Sequence, residues 1–254
     1  MPKVHLLMKK EEIDEQKIKE QKIAVVFDVL LATSTITTCL SYGAKEVIPV
    51  INKEAAIREA KNLQTDSYIL VGEYEGRTIE GFFDPNPLSL KYAVKNKTVI
   101  LSTTNGTVAV NRSRLAEKVY ICSLLNGSAI ATKVNQCHQE ETIVIVCSGS
   151  SGEFCLEDFY EAGYFLDCLL NEGTSTKWEL TDSAIAAHLF YSQSSDKAEE
   201  ILRSSFVGKL LVKYGYRDEL EFVASRGILD IVPYLNDRNS IVEGDINGYV
   251  TNEK

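Results

Sequence analysis

Six short runs rich in Val and Ile recur through the first 148 residues: "KIAVVFDVL", "EVIPVI", "SYILVGE", "TVILST", "KVYICS" and "ETIVIVCS". Most are apolar without alternation, so each strand needs cover on both faces, and a sheet with that property is parallel and flanked by helices. The segments between them, such as "NKEAAIREAKNLQ" and "NGSAIATKVNQCHQE", space their apolar residues at helical intervals. Strand followed by helix, repeated, predicts an α/β fold, a layered α/β/α arrangement around a mostly parallel sheet. Beyond Glu157 the pattern turns helical at "LEDFYEAGYFLDCLLNEG", "TDSAIAAHLFYSQ" and "DKAEEILRSSFVGKLLVKYG", with short strand candidates at "ILDIVPYL" and "SIVEGDI". The polar stretch "QCHQEE" (136–141) separates an N-terminal α/β part, residues 1–138, from a helix-rich C-terminal α/β part, residues 139–254.

Charge and residue usage exclude several function classes. A formal net charge of −9 argues against gripping a phosphate backbone, so no nucleic-acid partner is expected. No segment approaches the ~18 to 20 uninterrupted apolar residues of a membrane span. The opening "MPKVHLLMKKEEIDEQKIKEQK" turns charged before any apolar core develops, which points to a cytoplasmic protein. Six cysteines without a CxxC pair read as reduced thiols, and three histidines at no metal spacing make zinc an unexpected ligand. Neither a GxSxG elbow nor a GxxxxGK[ST] phosphate loop is present.

One local design recurs: an apolar run, a few small polar residues, then a helix, at "AVVFDVLLATSTITTCL", "TVILSTTNGTVAV", "VYICSLLNGSAIATKV" and "IVIVCSGSSGEFCLEDFYEAG". In an open α/β sheet such junctions gather beyond the carboxyl ends of the strands, where ligands bind. Their Ser, Thr, Asn and Gly residues cap helices and leave backbone N–H groups for an anion. Asp28 stands apart, because a carboxylate inside an apolar run needs a partner, a metal or a chemical task. It can serve as a magnesium ligand or as a nucleophile in phosphoryl transfer. Glu73 and the Glu157–Asp158 pair at a helix start offer further oxygens.

The stretches "FDVLLATSTITTCLSYGA", "VGEYEGRTIEGF", "ILSTTNGTVAV", "CSGSSGEFCLEDFYEAG" and "LDIVP", in this order, resemble the 2-phosphosulfolactate phosphatase family, the ComB-like phosphatases. The resemblance implies a magnesium-dependent phosphatase that converts 2-phospho-3-sulfolactate to 3-sulfolactate and phosphate, in coenzyme M biosynthesis or sulfolactate production. It implies two related layered parts with the active site between them. Two departures stand out: the family's arginine after the aspartate is Leu31 here, and its GER is Gly72-Glu73-Tyr74. Arg77, Arg112 and Arg226 are candidates to replace those cations.

On this reading Asp28, Glu73 and Asp158 are the catalytic residues and the Mg²⁺ ligands. Thr33, Ser34 and Thr35, then Thr103, Thr104, Asn105, Gly106 and Thr107, and the loop Gly149, Ser150, Ser151 and Gly152 cradle the two anionic ends of a small phosphorylated organic acid. The alternative, motivated by Leu31 and Tyr74, is a catalytically weakened or silent paralogue that binds small anions. The aromatics of "VKYGYRDELEF" belong either to a homodimer interface or to the core.

Overall fold

A computed structural model describes residues 1–171 and 176–244. The chain runs through β1 (Lys3–Leu7), a 3-10 turn (Lys10–Glu12), β2 (Lys22–Phe27), α1 (Ala32–Ser41), β3 (Glu46–Val50), α2 (Lys53–Ala60), β4 (Tyr68–Tyr74), β5 (Arg77–Thr78), α3 (Pro87–Leu90), β6 (Thr98–Ser102), α4 (Gly106–Ser113), β7 (Lys118–Cys122), α5 (Gly127–Cys137) and β8 (Thr142–Cys147). It continues through α6 (Leu156–Asn171), β9 (Glu179–Leu180), α7 (Asp182–Ser192), α8 (Ala198–Ser204), α9 (Phe206–Lys213), α10 (Arg217–Val223), β10 (Val232–Leu235) and β11 (Ile241–Gly244). Glu172 and Gly173 of the expected helix, and Asp245 and Ile246 of the expected last strand, lie outside the described residues.

All the strands join one sheet in the order β5-β4-β6-β3-β11-β10-β7-β2-β8-β1-β9. Two parallel blocks stand in it, β4-β6-β3 on one side and β7-β2-β8-β1-β9 on the other. The antiparallel hairpin β10–β11 sits between them, pairing with β7 and β3. Residues 138 and 139 fall between α5 and β8, and β8, from after that point, pairs with β2 and β1, from before it.

The apolar runs are continuous because each face of the sheet has its own core. Along β2, Ala24 and Val26 pack on one side with Ile36, Cys39 and Leu40 of α1 and Ala109 and Val110 of α4. Ile23, Val25 and Phe27 point the other way, onto Ile130 and Val134 of α5, Phe165 and Leu166 of α6 and Ala184 and Ala187 of α7. Side chains that alternate between two covered faces leave no polar position in the strand.

Helix starts follow capping chemistry. The Asn52 side chain accepts from the Ala55 amide at the start of α2 (2.9 Å), and Asn86 accepts from Leu88 and Ser89 (3.0 and 3.2 Å) with Pro87 at the first position of α3. The helical run "DKAEEILRSSFVGKLLVKYG" is two helices rather than one. Ser205 adopts extended backbone between α8 and α9, and its hydroxyl accepts from the Gly208 amide (3.0 Å). A Cβ at Gly208 would lie 1.7 Å from the Leu202 carbonyl oxygen, so only glycine lets α9 turn so tightly off α8.

Candidate active site

The strand register places the chemistry at one edge. Phe27 is level with Cys122 and Cys147, and Val50 and Gly72 are level with Ser102. Asp28, Glu73 and Thr103 therefore lie at or just past the carboxyl ends of their strands, Asp28 from one parallel block and the others from the second. A cleft of about 690 Å³ opens there. Asp28, Ala32, Glu73, Thr103, Thr104, Asn105, Ser150 and Ser151 line it, with Glu75, Arg77 and Asp84 among the charged residues of its wall. The "VYICSLLNGSAIATKV" junction does not contribute: Asn126 is buried, accepting from the Ser123 amide (2.8 Å) and donating to the Ile121 and Ile231 carbonyls.

Asp28 is buried, and its carboxylate packs against the start of α4. A Cβ at Gly106 would lie 2.6 Å from Asp28 Oδ2 and 2.4 Å from Ala32 Cβ, so the glycine is what permits the approach. Burial, joined by the neighbouring Glu73 and Glu157 carboxylates, pushes Asp28 up to about 7 against the opposing pull of the Ala32 amide and the Lys10 ammonium. Glu73 is held in place on the cleft wall: Oε1 accepts from the Thr104 amide (2.6 Å), and Oε2 accepts from the Thr104 hydroxyl (3.0 Å) and the Gly76 amide (2.8 Å).

Asp158 sits beneath the cleft rather than on its wall. Its Oδ1 accepts from the Val29 amide (3.0 Å) and its Oδ2 from the Gly149 amide (3.1 Å), tying the loop after β2 to the loop after β8. Burial, then the Asp28 and Glu157 charges, drives its carboxyl well above the ordinary range. Glu157 is raised in turn, chiefly by burial. Glu161, one turn along α6, is enclosed with no nitrogen or oxygen partner for either carboxylate oxygen, and burial raises it strongly. Asp158→Ala should orphan two buried amides at about 1–3 kcal/mol each. At about 2–4 °C per kcal/mol the melting temperature should fall by several degrees in differential scanning calorimetry; an unchanged Tm would show that the tie between the loops carries no stability.

The hydroxyls of the first loop are committed to the backbone. Thr33 donates to the Asp28 carbonyl and accepts from its amide, Ser34 donates to the Val29 carbonyl, and Thr35 donates to the Pro85 carbonyl. All three are fully buried, so the structure does not bring them to the cleft. Thr107 is buried as well, exchanging hydrogen bonds with Thr103 across the start of α4. Gly149 and Gly152 shape their loop through positive φ (65° and 78°), leaving Ser150 and Ser151 to face the cleft. The Leu30–Leu31 peptide, on the wall, is cis.

Of the three candidate replacement arginines only Arg77 lines the cleft. Arg112 donates to the Ile13 carbonyl, and Arg226 stacks by Tyr164 and donates to the Tyr191 hydroxyl. Sequence reasoning missed Lys10, a buried ammonium that donates to Asn105 Oδ1 (2.9 Å) and the Ser148 carbonyl (3.4 Å) and pairs with Glu11. It also missed the apolar wall that α9 contributes, Phe206, Val207, Leu210 and Leu211, continued by Tyr214. Tyr214 and Tyr216 face this cleft, and Tyr216 donates to Asp84 (2.7 Å).

The donor set is chemically suited to a hard cation. Asp28 and Glu73 are carboxylates that both line the cleft, with no His or Cys beside them among the lining residues. Among the described residues no three His, Cys, Asp or Glu gather into a metal cage, and the turned-away oxygens of Asp158 explain why Asp158 does not complete one. Mg²⁺ commonly binds through one or two carboxylates, with waters and a substrate phosphate filling its octahedron, so two suffice. No described helix is long and apolar enough to cross a membrane.

Comparison with known proteins gives one answer. The family described as 2-phosphosulpholactate phosphatase matches residues 7–238. The chain is similar to a protein of Clostridium novyi (strain NT) named probable 2-phosphosulfolactate phosphatase, with 39% identity over 91% of this chain and 96% of that one. A protein of the same name from Clostridium perfringens (strain SM101 / Type A) is 39% identical over 96% of this chain and 98% of its own length. Another from Caldanaerobacter subterraneus subsp. tengcongensis is 37% identical over 91% and 93%.

Proposed function

Because the chain belongs to the 2-phosphosulfolactate phosphatase family, we propose that it is a phosphoric monoester hydrolase acting on a small phosphorylated organic acid, 2-phospho-3-sulfolactate first, with Mg²⁺ as its cofactor. The observation that carries the reading is the buried Asp28 carboxylate at the end of β2, set against the start of α4 and facing Glu73 in a cleft between the two parallel blocks.

Hydrolysis breaks the phosphorus–oxygen bond of the ester; water supplies oxygen to phosphorus and a proton to the departing alkoxide. Asp28 and Glu73 would hold Mg²⁺, which when bound neutralises phosphate charge and lets an anion enter a wall with four carboxylates, Asp28, Glu73, Glu75 and Asp84. Asp28 is also placed to act on phosphorus itself, since its burial strips the water that would weaken it as a nucleophile. Glu73, fixed by the Thr104 and Gly76 amides, keeps its position without substrate. Asn105, held by Lys10, lines the cleft at the start of α4, where the helix dipole favours an anion, while Thr104 commits its amide and hydroxyl to Glu73. The fully buried Thr33 to Thr35 hydroxyls set the backbone path of the Asp28 loop instead of binding substrate.

Phosphate release from 2-phosphosulfolactate, followed with malachite green, should require Mg²⁺, stop with EDTA and return on adding Mg²⁺. Activity untouched by EDTA would remove the metal from the reading. A folded sample that is stabilised by sulfolactate yet releases no phosphate from any ester would favour a small-anion binding module instead, through the linkage of ligand to folding.

A further inference from the structure

Lysine is seldom enclosed, because its ammonium loses water that only hydrogen bonds and an opposite charge can replace. Lys10 is 6% exposed. Its Nζ has three acceptors for its three protons: Asn105 Oδ1 (2.9 Å), the Glu11 carboxylate (3.0 Å) and the Ser148 carbonyl (3.4 Å). The backbone braces the same turn, since the Lys10 amide also donates to the Ser148 carbonyl (3.3 Å) and the neighbouring Lys9 ammonium donates to the Gly152 carbonyl (2.7 Å). With its protons taken and no place among the residues lining the cleft, Lys10 does not touch a ligand itself. Asn105, which it holds, does line the cleft.

Asn105 stands immediately before α4, where an asparagine ordinarily turns its side-chain oxygen onto the amides of the first helical turn. Here it makes no such bond. The Thr103 hydroxyl accepts from the Thr107 amide instead (3.1 Å), and Asn105 Oδ1 is left to Lys10. An ammonium donates and cannot accept, so it holds only the oxygen end of the amide. The NH2 end has no acceptor among the described residues, on a side chain that lines the cleft. Such a donor matters in this cleft, because Arg77 is the only lysine or arginine among its lining residues, against Asp28, Glu73, Glu75 and Asp84. The Lys10 charge lies close enough behind to oppose the rise that burial imposes on the Asp28 carboxyl.

We propose that Lys10 is a positioning residue for phosphate: by holding Asn105 Oδ1 it aims the Asn105 NH2 group into the cleft as a hydrogen-bond donor to a phosphate oxygen. The inference rests on the phosphatase reading for its ligand and adds to it a residue that never touches that ligand. Without Lys10 the amide is free to turn its oxygen onto the first turn of α4 as a cap, or toward the anion, and either movement loses the donor.

The test is a double-mutant cycle on the affinity for inorganic phosphate, measured by isothermal titration calorimetry with Mg²⁺ present. Lys10→Met, which keeps the unbranched stem and removes the charge, should weaken phosphate about tenfold, the worth of one hydrogen bond to a charged acceptor. Asn105→Ala should weaken it at least as much, and Lys10→Met added to Asn105→Ala should cost no more than about twofold further. In turnover of 2-phosphosulfolactate, Lys10→Met should raise KM by a similar factor and leave kcat within about threefold. Lys10→Leu takes its place in the cycle if the methionine variant does not melt cooperatively. Equal losses on both backgrounds overturn the proposal, because Lys10 would then act by its charge or its packing and not through Asn105. Wild-type phosphate affinity in Lys10→Met overturns it as well, and so does a wild-type protein that binds no phosphate. If the cycle comes out as expected in a protein that hydrolyses no ester, the phosphatase reading fails and the placing of Asn105 by Lys10 stands.

Discussion

Asp28→Asn is expected to reduce kcat/KM by about 10³-fold or more while leaving the fold intact, because it deletes the charge that holds metal or attacks phosphorus and keeps the shape of the side chain. Stability supplies a second and independent signature. In metal-free buffer, burial and the Glu73 and Glu157 charges raise Asp28 from 3.8 to about 7. An acid whose pKa is higher in the folded than in the unfolded chain contributes stability that is fully present below about pH 4 and lost as the pH rises through about 7. The asparagine variant cannot lose it. With EDTA, its melting temperature should match the wild type near pH 4 and exceed it at pH 8, by a margin on the order of a few kcal/mol at most. If Asp28 served only as a structural partner, the variant would instead be less stable at both pH values by about 1–3 kcal/mol, and its activity would follow the folded fraction.

Gly106→Ala carries the next largest effect, although it adds a single methyl group. The new Cβ would meet Ala32 Cβ at 2.4 Å and Asp28 at both Oδ2 (2.6 Å) and Cβ (3.0 Å). These are short, anchored atoms, so relief requires moving α4 or the Asp28 loop as a whole. Overpacking of this kind costs about 1–3 kcal/mol, and a displacement near 1 Å of a reacting group costs about 10²-fold in rate. Activity should therefore fall by about a hundredfold, more than the loss of folded protein explains, when kcat/KM and Tm are measured on the same preparation. Wild-type activity at a lowered Tm would show that the close approach is packing alone.

The strands were open to reading from the sequence because two covered faces leave a plain mark, an apolar run without polar alternation, as in β2 and β8. Asp28 was visible as an anomaly in such a run. The hydroxyls after it are ambiguous in the sequence, since Thr-Ser-Thr following a strand is compatible with a ligand cradle or with bonds back to the chain. The deciding acceptors are the Asp28 and Val29 carbonyls nearby and the Pro85 carbonyl far along the sequence. Asp158 was legible as a helix-start carboxylate but not as a tie between two loops, because Val29 is distant in the chain. Lys10 hides in "MKKEEIDEQK", which reads as a solvated charged stretch. Its burial follows from β1 pairing with β8, Leu7 opposite Val146, which delivers the turn to Ser148. The α9 stretch reads from sequence only as a helical pattern, and hydrophobic spacing alone does not distinguish a core from a cleft wall.

The hairpin β10–β11 sets the order in which this sheet can be completed. Among the described residues it is the only hydrogen-bonded link between the two parallel blocks, and it follows every other strand in sequence. Until residues 232–244 dock, β3 and β7 each present an unpaired edge, which is where strands of another copy add by mistake. Closing the sheet then joins segments distant in the chain, Val47 with Ile241 and Tyr120 with Tyr234, contacts of the kind that slow folding. The two walls of the cleft are thus brought into register by a segment that touches neither Asp28 nor Glu73, and a nascent chain of this protein is a sticky pair of half-sheets until its last strands arrive.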